Sequence, residues 1–396
     1  MTNVYAQLSE SDPIGEEALA QARTLIGQPL RLDQWNTEAA RDNIRHYALG
    51  LGDRNPLWTD AEYARGSVHG TIVAPPTFLY SVYCGLAPGL GGLPAFLREA
   101  SWTFLDWVRL GDQLKAAASI TDVELAENKR GEKRIKQYGR MEYFRITEAG
   151  DPVKVAECDQ IVTRTPGPGH NGALAYESRG EYSYSAKELE DIERATLAVS
   201  QRGREPRFWE DVHPGDDLGQ VVKGPFTRMS MVCYYAGAPG SPGYRAFDWW
   251  WHNHHLARHD PGMLPNTFDS AYFAGTGTTS HGHHDATVAH AIGMPGIYDN
   301  GNQRIGLVAT ALTNWMGDDA FLRSYSHKVN APVVMGDTLF VTGRVTEKGP
   351  RQEALNAAAR PVGEVRIELR ARNQLGQVVS TAEAAVWLPT RTGHGG

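Results

Sequence analysis

From residue 37 onward the apolar positions follow first a helical period and then a strand period. Ile44, Tyr47, Ala48 and Leu51 recur at i, i+3, i+4 and i+7, one buried face of a helix that Thr37 can cap and that Gly50 or Gly52 ends. A polar loop and a short second helix over 77–86 follow. Alternating or β-rich runs then occupy 100–109, 113–125, 138–147 and 153–164. The same grammar returns later, with a helix over 303–316 and strands over 320–330, 338–348, 362–373 and 377–388. Each half predicts a helix followed by antiparallel strands long enough to wrap it, an α+β layer pair. Residues 165–205, with PGPG, NGAL and the charged run KELEDIER, read as a linker with a short helix.

The two halves also share residues in register. One offset of 225 relates Asp60 to Asp285, Ala64 to Ala289, Ile72 to Ile297, and Gly111, Asp112 and Leu114 of GDQL to Gly336, Asp337 and Leu339 of GDTL. Upstream the offset is 188: it relates Gly27 of GQPL to Gly215 of GDDL, and Tyr47 to Tyr235. The second half therefore carries about 37 additional residues near 238–275, a segment rich in tryptophan and histidine. The expected organisation is an N-terminal half over 1–165, a linker over 166–205 and a C-terminal half over 206–396.

Composition narrows the function. The 396 residues hold 39 Lys and Arg against 46 Asp and Glu, a net charge of −7, so no chain-wide basic surface is available for a phosphate backbone and nucleic acid is not an expected partner. Cys84, Cys158 and Cys233 stand far apart without a CxxC pair, which predicts reduced thiols rather than disulfides or a zinc site. No run approaches the roughly 20 apolar residues of a membrane span, and the first residues lack a basic-then-apolar signal. A cytoplasmic protein without a membrane partner is expected, as a monomer or a homodimer.

The run GDRNPLWTDAEYA, from Gly52 to Ala64, resembles the hydratase signature of MaoC-like acyl dehydratases and (R)-specific enoyl-CoA hydratases, a Gly-Asp-x-Asn-Pro-x-His-x-Asp pattern with Ala following. The blocks WEDVHPGDDLGQVVKGPFT and GDTLFVTGRV are similar to strands of the same family. The resemblance implies a double hot dog, two antiparallel sheets each wrapped around a central helix. It also implies a dyad in which an Asp and a His five residues apart hold one water, with a glycine N–H that receives charge from the thioester oxygen.

The pattern is split between the halves. The first keeps Asp53 and Asn55 but has Trp58 where the imidazole belongs, and Pro76, which has no N–H, at the glycine position. The offset of 225 carries Trp58 onto His283 and Pro76 onto Gly301, while Asp53 maps onto Thr278, or onto Ser241 before the insertion. The expected catalytic residues are His283, Gly301 and Asp53; for Asp53 a carboxylate bracing the Asn-Pro turn is the competing reading. Asp248, Asp269, Asp285 and Asp299 are the carboxylates that could partner His283. Trp58, Asn55, Trp250, Tyr298, Asp299 and Arg304 are expected substrate contacts, Trp250 as part of an aromatic wall with Phe247, Trp249 and Trp251. His252, His254, His255, His259, His281 and His284 gather near His283, but without an HExxH spacing and in a metal-free family they are read as part of a lid, so no metal is expected. The basic cluster Lys129–Lys136 is read as a solvated hairpin tip, with coenzyme A phosphate binding as the alternative.

The expected function is a hydro-lyase acting across C2–C3 of an enoyl or 3-hydroxyacyl thioester in lipid metabolism, with no cofactor beyond the coenzyme A of the substrate. Two alternatives stand beside it: a repurposed lyase, isomerase or cyclase for a bulky molecule lacking coenzyme A, and a non-catalytic acyl-binding partner subunit.

Overall fold

The computed structural model describes residues 14–391 except 31, 33, 35, 91–92, 129–130, 167–175, 177, 239–246, 249–254, 256–280 and 356–359. The N-terminal half runs α1 (Glu16–Arg23), α2 (Arg41–Gly50), α3 (Pro56–Thr59), α4 (Ala61–Arg65), a 3-10 turn over Pro76–Ser81, and strands β1 (Ala95–Phe104), β2 (Gln113–Glu127), β3 (Lys133–Ile146) and β4 (Pro152–Arg164). After α5 (Ala186–Leu197) the C-terminal half runs β5 (Asp217–Lys223), α6 (Arg228–Gly237), α7 (Ala286–Ala291), α8 (Gly301–Met316), β6 (Phe321–Val329), β7 (Leu339–Leu355), β8 (Pro361–Arg372) and β9 (Val378–Pro389). Among the described residues no helix is long and apolar enough to cross a membrane.

Instead of two separate sheets, the strands form one nine-stranded antiparallel sheet in the order β2-β3-β4-β1-β6-β9-β8-β7-β5. The halves join edge to edge where β1 pairs β6, and Ser101 lies opposite its own repeat counterpart Ser326, the two hydroxyls 2.9 Å apart. That self-pairing marks a pseudo-two-fold axis through the seam.

The two central helices differ. The one in the C-terminal half, α8, is 16 residues long, and every residue from Asn302 to Met316 is buried. Asn300 caps its start by accepting from Asn302 N–H, and Gly317, at φ +82°, turns the chain out at its end. In the N-terminal half the expected helix over 77–86 is only the six-residue 3-10 turn. Gly85, at φ +89°, and Pro88 follow at once and prevent its extension.

Both repeat offsets have physical content. Asp60 and Asp285 each cap the next helix by accepting from the second and third N–H groups. Asp112 accepts from Arg109 N–H as Asp337 does from Val334 N–H. Upstream, Gly27 and Gly215 donate to Ile120 and Val345, which keeps the offset of 188 at that point. By α2 and α6 it has fallen to 187, because Arg41–Gly50 corresponds to Arg228–Gly237 and the two glycines meet each other's helices reciprocally. The partner of Tyr47 is therefore Tyr234, not Tyr235; both are wholly buried, with ring centroids 6.2 Å apart. Helices α2 and α6 cross in contact at their glycines: a Cβ on Gly50 would lie 2.7 Å from the Tyr234 backbone, and one on Gly237 2.5 Å from that of His46. Thr37 is not the cap of α2, since Ala40 occupies that position; the carbonyl of Thr37 instead takes Leu114 N–H, tying the segment to β2.

Candidate active site

Local folding places His283 first. The 3-10 turn His281–His283 leads into α7, whose start is fixed by Asp285, and the chain then returns so that Tyr298 bridges Val334 and Asp299 N–H donates to Val333. His283 is 8% exposed, and its ring lies on that of Tyr298 with centroids 4.4 Å apart. Its Nδ1 stands 3.0 Å from the Tyr298 carbonyl oxygen. A carbonyl only accepts, so Nδ1 carries the proton and Nε2 holds the basic lone pair.

Two residues after Tyr298 the chain enters α8. In its first turn Asn302 N–H donates to Asn300 Oδ1 and Arg304 N–H to the Asn300 carbonyl. Gly301 is the first helical residue, so its N–H has no carbonyl within the helix to meet, and the positive end of the helix dipole lies beside it. A cavity of about 160 Å³ brings these parts together. The C-terminal half lines it with His283, Met294, Tyr298, Asn300, Gly301 and Asn302, and the N-terminal half with Cys84–Ala87, Ala95–Arg98 and Gln160. An imidazole and a helix N-terminus thus share one cavity at the seam between the halves.

Asp299 and Arg304 also reach the cavity wall, but their charges are turned on each other. Arg304 Nε donates to Asp299 Oδ2 at 2.6 Å and Nη2 to Oδ1, while Nη1 donates to the carbonyls of Ala331, at 2.6 Å, and Val379, at 3.2 Å. Burial pushes the Asp299 carboxyl up, and the Arg304 charge opposes that shift. This pair braces the start of α8. Burial likewise raises the Tyr298 hydroxyl well above its ordinary value.

Asp53, Asn55 and Trp58 lie elsewhere. Asp53 Oδ1 accepts from Asn55 N–H and Oδ2 from Trp58 Nε1–H, each at 3.0 Å, so the tryptophan has taken over the hydrogen bond of an imidazole without its basicity. Burial raises the Asp53 carboxyl, and the ammonium of Lys223, whose Nζ donates to the carbonyls of Leu51 and Gly52, holds part of that back. Asp53 faces a separate space of about 40 Å³ with Gln201, Lys223 and Asn314, not the cavity of His283. The expectation that Asp53 is catalytic alongside His283 and Gly301 is therefore corrected in favour of the bracing reading: Asp53 closes the first half's own loop.

The position equivalent to the 160 Å³ cavity is almost filled. Pro75, Pro76, Leu79, Trp107 and Phe321 surround about 10 Å³ there. Trp107 packs against Trp58, His69 and Phe321 with centroids 6.4, 4.7 and 5.6 Å away.

Of the carboxylates considered for His283, Asp285 caps α7, Asp299 is bound to Arg304, and Asp248 is exposed. Asp269, Thr278, Ser241 and Trp250 lie outside the described residues, as do Trp249, Trp251, His252, His254 and His259. Among the described residues, no three His, Cys, Asp or Glu side chains gather as metal ligands would. In the basic hairpin, Arg134 pairs with Glu132 and Lys136 with Glu124 at 2.7 Å, where β3 meets the edge strand β2. Gln160, Asn302 and Arg98 were not singled out by the sequence. The one available signal was a glutamine at an inward-facing position of β4, between the buried Cys158 and Val162.

Residues 21–139 match the MaoC-like domain family. This stretch covers the half whose cavity is filled. A protein of Streptomyces coelicolor, UPF0336 protein SCO4636, is 32% identical over 95 residues, which are 22% of this chain and 63% of that protein, so the chain spans under two thirds of this relative's length. Among solved structures, a MaoC-like dehydratase superposes with a TM-score of 0.58 at 17% identity, covering 93% of this chain and 99% of the other. Rv0216 of Mycobacterium tuberculosis, described as a double hot dog, gives 0.53 at 14% identity, covering 93% and 98%. Residues 21–139 thus match the MaoC-like domain, and the two halves together share the fold of these solved structures, one of them described as a double hot dog.

Proposed function

We propose that this protein is a hydro-lyase that adds water to, or removes it from, the C2–C3 bond of an enoyl or 3-hydroxyacyl thioester, with coenzyme A as the thiol. The observation that carries the reading is the shared cavity of His283 and Gly301. In hydration, Nε2 of His283 takes a proton from water as the oxygen bonds to C3, and the negative charge moves onto the thioester oxygen. Gly301 N–H and the α8 dipole meet that charge, and the proton is delivered to C2. In dehydration the same imidazole removes the C2 proton and hydroxide leaves C3 with a proton. The Tyr298 carbonyl holds the ring in the tautomer this requires. The MaoC-like domain and the double hot dog fold support the same chemistry by analogy.

The test is hydration of crotonyl-CoA by the wild-type protein and by His283→Ala. The expected result is turnover that falls at least about 100-fold in the variant. Unchanged turnover in His283→Ala overturns the reading. Absence of turnover on any enoyl thioester by the folded wild type transfers the site to a non-thioester substrate or to a binding role.

A further inference from the structure

The cavity has one polar wall that the hydration chemistry leaves unused. Gln160, on β4 of the N-terminal half, is 1% exposed and lines the same space as His283 and Gly301. Its cross-strand neighbours are Ala100 and Gly139, which leave room for its side chain. Its Nε2 donates to Asn302 Oδ1 at 3.4 Å and to the Tyr80 hydroxyl at 3.5 Å, while its Oε1 is buried with no hydrogen-bond partner. Tyr80 already accepts from Trp102 Nε1 at 3.0 Å. A buried amide oxygen left unmatched is costly, and one that borders a cavity is satisfied by what enters it. In the filled counterpart, Ala384 pairs Tyr325 as Gln160 pairs Ala100, so the polar group occurs only where the cavity is open.

We propose that Gln160 is a specificity-determining residue whose Oε1 accepts a hydrogen bond from the acyl group, and that the preferred substrates are short acyl thioesters carrying a hydroxyl beyond the reacting double bond. This rests on the hydro-lyase reading for its chemistry, but the recognition itself does not require turnover. Asn302 is the residue after Gly301, so an acyl group bonded to Gln160 extends only a few atoms past the carbonyl held by that glycine. The volume agrees, because a space of about 150 Å³ holds roughly one benzene-sized group, enough for a short acyl segment within the cavity. A plain alkyl chain leaves the buried Oε1 unmatched, whereas a hydroxyl supplies the donor it lacks, so the site favours the hydroxylated thioester over the analogue without it.

The experiment compares crotonyl-CoA with 4-hydroxycrotonyl-CoA in the wild type and in Gln160→Met, a change that keeps the length of the side chain and removes its acceptor. The wild type is expected to favour the hydroxylated thioester by about 10–100-fold in kcat/KM, and the preference should collapse toward unity in Gln160→Met. Calorimetric binding of the saturated pair, butyryl-CoA and 4-hydroxybutyryl-CoA, reads the same preference without chemistry. A preference in binding with no turnover of either enoyl thioester keeps the role of Gln160 and removes the hydro-lyase reading. Turnover of both with equal efficiency removes the role of Gln160 and keeps the hydro-lyase. If Gln160→Met does not fold, the wild-type ratio decides alone, and a ratio near one overturns the proposal.

Discussion

The role given to the amide of Gly301 is tested by a substitution that the protein has already made in its other half. Pro76 is the first residue of the 3-10 turn in the N-terminal half, at the position equivalent to Gly301, and the space it faces is nearly filled. Gly301→Pro removes the N–H and little else. Proline is favoured at the first position of a helix, where its missing donor would in any case be unmatched. Asn300 already has φ −79° and ψ 128°, a conformation that a residue before proline accepts. The new Cβ would approach Leu97 Cδ2 at 3.2 Å, the end of a side chain that can shift. Stability is expected to change by no more than about 1 kcal/mol, because the loss of glycine also narrows the unfolded ensemble. Catalysis should fall much further: deletion of one oxyanion donor costs about 10²–10³ in kcat, or about 2.7–4 kcal/mol of transition-state stabilisation. Gly301→Ala is the control, since it adds the same Cβ and keeps the N–H. The assay follows loss of enoyl-thioester ultraviolet absorbance in both variants beside a thermal melt of each. The loss belongs in kcat; a proline ring that merely blocked entry would raise KM. If the folded proline variant keeps a kcat within about threefold of the alanine variant, a difference of under 1 kcal/mol, Gly301 is not the donor and the mechanism fails.

Trp58→His placed in a His283→Ala background should restore no turnover, because Trp107 and Pro76 leave about 10 Å³ where a substrate would have to sit; recovered activity would refute the assignment of that half as closed. His327 is wholly buried between Tyr325 and Ser380, and burial pushes its pKa down to about 3. The folded state therefore leaves this imidazole neutral between about pH 6.5 and 3 while the unfolded chain binds a proton there. That stabilising contribution is complete above about pH 6.5 and is lost at up to about 1.4 kcal/mol per pH unit as the pH falls. Denaturant titrations of His327→Gln should give a shallower acid dependence than the wild type, and parallel curves would refute the assignment. Gly237→Ala drives a Cβ to 2.5 Å from the His46 backbone and should cost about 1–3 kcal/mol in a chemical melt; a neutral change would mean that the α2–α6 crossing can open. Arg304→Met should cost about 3–5 kcal/mol by stranding Asp299, and adding Asp299→Asn should recover part of that loss; an unchanged melting curve for the single variant would refute the bracing role.

Much of the fold was legible because it depends on local periodicity. Most strand ends were found to within a few residues; the exceptions are β1, which begins and ends about five residues early at Ala95 and Phe104, β3, which begins at Lys133 rather than 138, and β7, which runs on to Leu355 rather than 348. The helix that fills the C-terminal half was found over 303–316, two residues inside its observed start at Gly301, because the second half repeats the order of elements of the first. What sequence could not give was set by contacts between distant segments. Thr37 has the chemistry of a cap, but its carbonyl is taken by Leu114. The one-residue change in offset that pairs Tyr47 with Tyr234 arises between GQPL and α2, where no motif marks it. The merging of two sheets into one depends on β1 meeting β6, a pairing of residues 225 apart that pattern alone cannot choose. At the site, His283 and Gly301 were reachable through the repeat, whereas Gln160 was not, because its meaning depends on the opposite half.

That last point bears on how one half can lose its chemistry without being lost. Each of the two equivalent spaces is bounded by the start of a central helix from one half and by strands of the other: Phe96 and Leu97 of β1 face Gly301, and their counterparts Phe321 and Leu322 of β6 face Pro76. Once Pro76 and Trp58 replace the donor and the imidazole, nothing keeps the first space open, and Trp107 fills it with apolar contacts. The strands of that same half still form a wall of the surviving cavity. Selection on β1 and β4 is thereby separated from selection on α3 and the 3-10 turn, although they belong to one ancestral unit. A polar residue such as Gln160 can then be acquired on one side of the pseudo-axis while Ala384 stays small on the other, because only one of the two positions lines an open cavity.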